Sequence, residues 1–441
     1  MTENKNNCTI ERLGETSYPS PLALSRTKGN SIPNFVTDDS TILLDVENTQ
    51  ISTQNPDRLE IAGPRERLYF EPHKVHAALV TCGGLCPGLN NVIRAIVMCL
   101  WHQYGVRKIS GIRYGYRGLL PDCRTPPLQL SPEIVKDIHL SGGTILGSAR
   151  GYGDRTKDIV DFIEKDKIDI LFTIGGDGTQ KGALNIHKEI VKRRLSVAVI
   201  GIPKTIDNDL SFVERSFGFE TAVSKATEVV TAAHTEARCA INGIVIVKLM
   251  GRQSGFIAAY TAIASNDVNF VLVPEIPFDM KGNNGFLMHL EKRLLKNGHA
   301  LIIAAEGAGQ ELMERQNMTT DGSGNTQLAD IGIYLKNSIA GYFKKKNIDI
   351  ALRYIDPSYT IRSLPAVPVD STYCASLGIN AVHAAMSGRT SMITSLIHNH
   401  LVHVPIEMTV KKRNIIDPEG ALWRTVLELT GQPAIMRNRV K

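Results

Sequence analysis

Two short stretches carry residues that can do chemistry. Gly175-Gly176-Asp177-Gly178-Thr179 offers bare backbone N–H groups just ahead of a helix, an arrangement that suits phosphate. Asp177 would repel phosphate directly, so its role there is to hold Mg²⁺. Pro203-Lys204-Thr205-Ile206-Asp207-Asn208-Asp209 packs two carboxylates, a hydroxyl and an amine into seven residues. A magnesium nucleotide on the first stretch and an acceptor hydroxyl beside the second make a phosphotransferase.

The segments between these stretches say how they are positioned. Ile168–Ile174 and Ser196–Ile202 are apolar runs of buried-strand length. Lys181–Leu195 places Leu184, Ile186, Ile190, Val191 and Leu195 at helical spacing. Strand, helix, strand is one βαβ unit, with parallel strands and a right-handed crossover. Both loops then leave the sheet at the carboxyl edge, where open α/β sheets place their ligands.

The same design recurs upstream. The strand Val75–Thr81 runs into Gly83-Gly84-Leu85-Cys86-Pro87-Gly88-Leu89-Asn90 and then a helix over Asn91–Gln103. This reads equally as a phosphate loop or as a plain tight turn. Arg150-Gly151 follows another Gly-rich turn, where an arginine either clamps phosphate or lies on the surface. Further on come a helix over Phe217–Arg238, a strand over Gly243–Val247, and Met250-Gly251-Arg252 opening the next helix. A helix at Phe286–Asn297, a strand at Ala300–Ala304 with Glu306 after it, and a helix at Ile331–Asn347 follow. Leu352–Leu364 carries Arg353, Tyr359 and Arg362, and Asp370–Ser387 reads as a helix. Pro132–His139 reads as a short helix. Pro418–Leu429 is the one convincing helix of a tail without readable chemistry.

Composition excludes several classes. The 441 residues are 43% hydrophobic with a net charge of +6 and no long basic run. Nucleic-acid binding has neither a basic stripe nor aromatic interleaving behind it. Lys344–Lys346 reads as a solvated helix end. Seven cysteines fit a reducing compartment. Cys82 and Cys86 have no second Cys/His pair after them, which disfavours zinc. His398, His400 and His403 read as an ordinary strand or turn rather than a metal site. No apolar run reaches the ~18 residues of a membrane span. The N-terminus lacks an apolar signal core, and Arg439-Val440-Lys441 is not a peroxisomal address. The expected location is cytoplasmic, with no membrane and no nucleic-acid partner.

GGDGT alone is a weak signal, because lipid and NAD kinases share it. GGDGT followed by PKTIDND and then MGR is specific, and the chain resembles the phosphofructokinase family from Ala77 to about His403. It is most similar to the long plant- and trypanosomatid-like ATP-dependent members. The resemblance implies an α/β fold with two Rossmann-like lobes, each a mostly parallel sheet flanked by helices, behind an N-terminal extension. The expected division is an extension over 1–74, a nucleotide lobe over 75–214 plus about 365–404, a sugar-phosphate lobe over 215–364, and a C-terminal extension over 405–441. Composition alone reads residues 1–68 as largely disordered, whereas the resemblance implies an arm packed on the body or on a neighbouring subunit.

The resemblance also implies roles. Gly84, Arg150, Gly151, Gly176, Asp177, Gly178 and Thr179 face ATP, with Mg²⁺ on Asp177. Thr205, Ile206, Asp207, Met250, Gly251, Arg252, Glu306, Arg353, Tyr359 and Arg362 face fructose 6-phosphate. Asp207 is the general base for the C1 hydroxyl, Thr205 orients the sugar, and Arg252 and Lys204 offset charge on the transferring group. Arg353 reaches toward a neighbouring subunit if the family's tetramer applies; a homo-oligomer, tetramer or dimer, is expected. Compact bacterial members carry an arginine where this chain has Gly243, so phosphate grip across that boundary is weaker or built differently, and their allosteric site does not transfer.

The phosphoryl donor is less direct. Lys204 is typical of pyrophosphate-dependent members, and Gly178 of ATP-dependent ones. A carboxylate at 178 would face the nucleotide α-phosphate, and like charges ~4 Å apart at an effective dielectric of about 20 cost about 4 kcal/mol. Gly178 removes that exclusion, while Lys204 attracts phosphate from either donor. ATP is the favoured donor and pyrophosphate the alternative. A lipid or NAD kinase does not explain PKTIDND or the Arg353/Tyr359/Arg362 set, and a silent regulatory subunit would have lost the base.

Overall fold

The computed structural model describes residues 7–46, 56–313 and 327–438. Of the polar stretch Asp321–Gln327 only Gln327 lies within them, and the C-terminal tripeptide lies outside. In chain order the strands that build the sheets are β1 (Thr41–Leu43), β2 (Arg58–Ile61), β3 (His76–Thr81), β4 (Lys108–Ile112), β5 (Leu128–Gln129), β6 (Ile170–Gly175), β7 (Ala198–Pro203), β8 (Gly243–Leu249), β9 (Phe270–Leu272), β10 (His299–Ala305), β11 (Ala351–Ile355), β12 (Met392–Ile397) and β13 (His400–Pro405). The main helices are α1 (Leu89–Met98), α2 (Thr156–Lys165), α3 (Asp177–Lys192), α4 (Phe219–Arg238), α5 (Phe256–Ser265), α6 (Phe286–Asn297), α7 (Ile331–Lys345), α8 (Ser358–Arg362), α9 (Pro368–Met386) and α10 (Ala421–Thr430).

The chain forms two compact units. The first comprises Met1–Thr205, Leu210–Gly218 and Ser363–Arg413; the second comprises Ile206–Asp209, Phe219–Arg362 and Asn414–Lys441. The first unit is built on a nine-stranded sheet in the order β1-β2-β13-β12-β7-β6-β3-β4-β5. Its centre, β12 through β4, is parallel. Every residue of β3, β6 and β7 is buried. Helices on both faces explain why these strands read as unbroken apolar runs. The second unit is built on a four-stranded, wholly parallel sheet in the order β9-β10-β8-β11. This is the expected α/β class with mostly parallel sheets.

The described part of the N-terminal extension is ordered against the first unit, unlike the reading from composition alone. Glu11–Arg12 pairs with Arg389–Thr390, and β1 and β2 extend the main sheet beside β13. A charge network with a buried centre and an exposed edge at Asp38 and Arg12 fastens the arm. Glu60 on β2 accepts from Arg65 (2.8 Å), from Arg389 and from His403 Nδ1 (3.1 Å). Asp38 pairs with Arg389 (2.7 Å), Arg65 (3.0 Å) and Arg12 (2.9 Å). Removing Glu60 would leave the buried Arg65 and Arg389 charges under-compensated, at a cost of about 3–5 kcal/mol.

Two local expectations change. Pro132–His139 is not one helix but a four-residue turn, Pro132–Val135, and a separate 3₁₀ turn at Ile138–Leu140. The helix expected from Lys181 starts at Asp177, so Asp177, Gly178 and Thr179 of GGDGT are themselves its first turn.

Candidate active site

In the first unit the sheet register lines up three of the motifs. β6 lies between β3 and β7, with Thr81 opposite Ile174 and Gly175 opposite Pro203. The ladder continues past the strand ends: Cys82 donates to Ile174 O (2.9 Å) and Lys204 N donates to Gly175 O (3.0 Å). Gly83–Gly84, Gly176–Thr179 and Lys204 therefore leave the sheet level with one another at its carboxyl edge. Arg150 and Gly151 join them, because Cys82 bridges Ala149, Gly83 N donates to Ala149 O (3.0 Å), and Ser148 Oγ donates to Gly83 O (2.6 Å).

The glycines here have steric reasons. A Cβ on Gly175 would sit 2.1 Å from Thr179 Oγ1, so Thr179 is packed back on the strand end. Thr179 O accepts from the buried Tyr116 hydroxyl at 2.7 Å. A Cβ on Gly178 would meet nothing within 4 Å, so this position opens onto free space. The Asp177 and Gly178 amides belong to the first turn of α3 and have no intrahelical acceptor. Buried Lys204 donates from Nζ to Gly84 O at 2.7 Å, tying the PKTIDND stretch to the first Gly-rich loop.

Asp177 is already compensated. Its Oδ2 accepts from Lys181 Nζ at 2.9 Å and from the Arg413 guanidinium at 3.2 Å. Among the described residues no group of three or more His, Cys, Asp or Glu side chains forms a metal cage. A single carboxylate that already attracts two cations fits Mg²⁺ arriving on nucleotide phosphates, the usual mode for this ion.

Between Thr205 and Ile206 the chain passes from the first unit to the second. Ser216 Oγ caps Thr205 O on one side of this link. On the other side Ser254 Oγ donates to Asp207 O (3.1 Å), and Asp209 O accepts from Asn414 N (2.9 Å). Asn208 adopts φ 55°, a left-handed conformation that asparagine tolerates well. This turn is what separates Asp207 from Asp209.

In the second unit, Met250-Gly251-Arg252 follows β8 and Glu306 follows β10, and the two segments are zipped together. Glu306 N donates to Leu249 O (2.9 Å) and Gly307 N to Gly251 O (3.0 Å). Gly251 adopts φ +127°, and a Cβ there would lie 2.5 Å from Ser254 O. Burial raises the Glu306 pKa, and Arg252, Lys248 and Arg362 pull it back. These charges therefore share one electrostatic neighbourhood. Arg362 stacks over Tyr359 at 4.6 Å, while its Nε is buried without a hydrogen-bond partner. Arg353 is not part of this cluster within its own chain. It sits opposite Val245 in mid-strand, four residues short of the level of Leu249, or roughly 13 Å along the strand.

Two functional neighbours escaped the reading of the sequence. Lys248 Nζ pairs with Asp330 (2.8 Å) and Asp356 (2.9 Å), the carboxylates that cap α7 and α8. Burial alone would lower its pKa, and the hydrogen bonds to Asp330 and Asp356 more than reverse this. It thereby fastens the helix bearing Tyr359 and Arg362 to the strand before Met250. A lysine inside the apolar run Gly243–Leu249 was the available signal. Arg413, 236 residues from Asp177, left none. The cysteines are all free thiols, His398 bonds to Leu44 O, and His403 bonds to Glu60.

Comparison with known proteins agrees with this geometry. A family model described as Phosphofructokinase matches residues 76–385. An ATP-dependent 6-phosphofructokinase of Borreliella burgdorferi is 53% identical over 438 residues, covering 97% of each chain. One of Amycolatopsis methanolica is 45% identical over 446 residues, covering 98% of this chain and 96% of the other. Among solved structures, a pyrophosphate-dependent phosphofructokinase from Marinobacter aquaeolei superposes with a TM-score of 0.66 over 80% of this chain and 91% of that one. Its 20% identity speaks for a shared fold alone.

Proposed function

The chain belongs to the phosphofructokinase family, and from that premise we propose that it transfers the γ-phosphoryl group of ATP to the C1 hydroxyl of fructose 6-phosphate, with Asp207 as the general base. The observation that carries the reading is the level exit of Gly84, Gly176–Thr179 and Lys204 from adjacent parallel strands, with Asp207 only three residues beyond Lys204 in the chain. The ATP-dependent relatives and the open space at Gly178 support the donor.

The nucleotide phosphates lie against the N-terminal amides of α3 and the Gly83–Gly84 loop, with Arg150 and Gly151 beside them. Asp177 would hold Mg²⁺, which would supply charge neutralisation at the transferring group. The Lys204 ammonium adds positive charge at the same edge. Thr205 orients the sugar and Asp207 takes the hydroxyl proton, a contribution of roughly 10²–10⁴ in rate. Arg252 offsets charge on the transferring group. Met250, Gly251 and Ile206 line the sugar, Glu306 accepts from its hydroxyls, and the unpartnered Nε of Arg362 suits its 6-phosphate with Tyr359 stacked beneath.

Arg353, set back from this cluster, suits a partner copy's sugar phosphate, so a homo-oligomer is part of the proposal. Free thiols suit a reducing compartment such as the cytoplasm. Following ³¹P spectra of fructose 6-phosphate with either ATP or pyrophosphate tests the donor: the expected products are fructose 1,6-bisphosphate and ADP, and faster turnover with pyrophosphate overturns it.

A further inference from the structure

Lys248 joins the two ends of the sugar-phosphate cluster, and we propose that it is a positioning residue for fructose 6-phosphate, setting the separation between Arg252 and Glu306 at one end and Tyr359 and Arg362 at the other. The inference deepens the sugar-phosphate reading and rests on it.

Four elements of the second unit meet at this one ammonium. Lys248 stands near the end of β8, two residues before Met250. Its Nζ donates to Asp330 Oδ2 at 2.8 Å and pairs with Asp356 Oδ2 at 2.9 Å. With its other oxygen Asp330 accepts from Ile333 N in the first turn of α7 and from the Tyr354 hydroxyl of β11, both at 3.1 Å. Asp356 accepts from Ser358 N (3.1 Å) and Ser358 Oγ (2.6 Å), which fixes the first turn of α8. Gly332 packs against the Tyr354 ring with no room for a Cβ, so the frame has little slack. The end of β8 carries Arg252, and backbone bonds zip that segment to Glu306. Arg362 Nε is buried without a hydrogen-bond partner, so its place is inherited from α8 and from Tyr359, 4.6 Å away. One small ligand held at both ends is sensitive to that separation, because a misplacement of about 1 Å can cost about 100-fold.

Lys248 acts on charge as well. Burial raises the Glu306 pKa; Arg252, Lys248 and Arg362 pull it back, and Asp356 opposes them. Without the ammonium, Asp330 and Asp356 lose their shared counter-ion and Glu306 loses a positive neighbour. Its carboxyl then stays protonated to higher pH and accepts sugar hydroxyls less well.

The test is steady-state kinetics of the full chain against pH, in both substrates, for wild type, Lys248→Met and Lys248→Arg. Lys248→Met is expected to raise KM for fructose 6-phosphate by up to about 100-fold, with KM for ATP near wild type and kcat changed far less. The acid limb of kcat/KM for fructose 6-phosphate should move to higher pH. Lys248→Arg should recover most of both effects. Equal changes in the two KM values, or an acid limb that stays in place, overturn the proposal and leave Lys248 a structural ion pair. If Lys248→Met does not fold, Asp356→Asn decides, since Lys248 keeps Asp330: a raised KM for fructose 6-phosphate alone supports the proposal, and wild-type KM contradicts it. A wild-type chain that does not phosphorylate fructose 6-phosphate overturns the kinase reading itself, whereas an active wild type matched by its variants overturns this proposal alone.

Discussion

The ammonium of Lys204 donates to the carbonyl oxygen of Gly84 at 2.7 Å, so one side chain joins the loop after β7 to the loop after β3, across the strand that ends in Gly175. The amine is buried and its position is set by backbone on both sides. A lysine at 204 therefore has a structural reason to be present whichever donor is used, and does not by itself select pyrophosphate.

Lys204→Met keeps the length of the stem and removes the charge. Loss of one charge-assisted hydrogen bond is worth about 2–3 kcal/mol, so kcat with ATP is expected to fall about 30–160-fold. Steady-state kinetics in both substrates checks this; wild-type kcat removes Lys204 from the mechanism.

Gly178→Asp tests the electrostatic basis of donor choice. The open space at this position accommodates the new side chain without repacking, so the melting temperature should barely change. ATP affinity should drop by about three decades, following the cost of about 4 kcal/mol for two like charges near 4 Å. Nucleotide titration measures it, and unchanged ATP binding would place the nucleotide elsewhere.

Acid stability should report on His383. It is buried, and its Nδ1 meets the Tyr104 hydroxyl at 2.8 Å. Burial, then the nearby Arg65 charge, lowers its pKa to about 4. An unfolded histidine titrates near 6.5. Between these values the unfolded chain binds a proton that the folded chain refuses. The contribution is therefore complete above about pH 6.5 and lost as pH falls toward about 4, at up to about 1.4 kcal/mol per pH unit. His383→Gln should flatten the dependence of the urea midpoint on pH in that window. An unaltered slope contradicts the assignment.

What the sequence made legible follows from how strongly each element is buried. β3, β6 and β7 are covered on both faces, and their apolar runs stand out. Their loops could be placed at one edge because parallel strands leave no other choice. The start of α3 was misjudged by four residues, since Gly176 and Gly178 are poor helix formers and tertiary contacts decide there. The arm over residues 7–46 and 56–74 could not be read from composition, and only the resemblance implied that it packs, because its strands are two to four residues long and its anchors, Asp38 and Glu60, pair with Arg389 and His403 over three hundred residues away. Arg413 was hidden for the same reason: a long-range ion pair has no periodicity. Lys248, by contrast, carried a signal that the reading passed over: a charge inside a buried strand.

The central claim is that Asp207 accepts the proton of the sugar hydroxyl while the Gly176–Thr179 turn holds the nucleotide. The most direct measurement is turnover of Asp207→Ala with ATP and fructose 6-phosphate, paired with binding of each substrate. The account predicts a fall in kcat of about 10²–10⁴ with nucleotide affinity near that of wild type. Near-normal turnover in Asp207→Ala contradicts it.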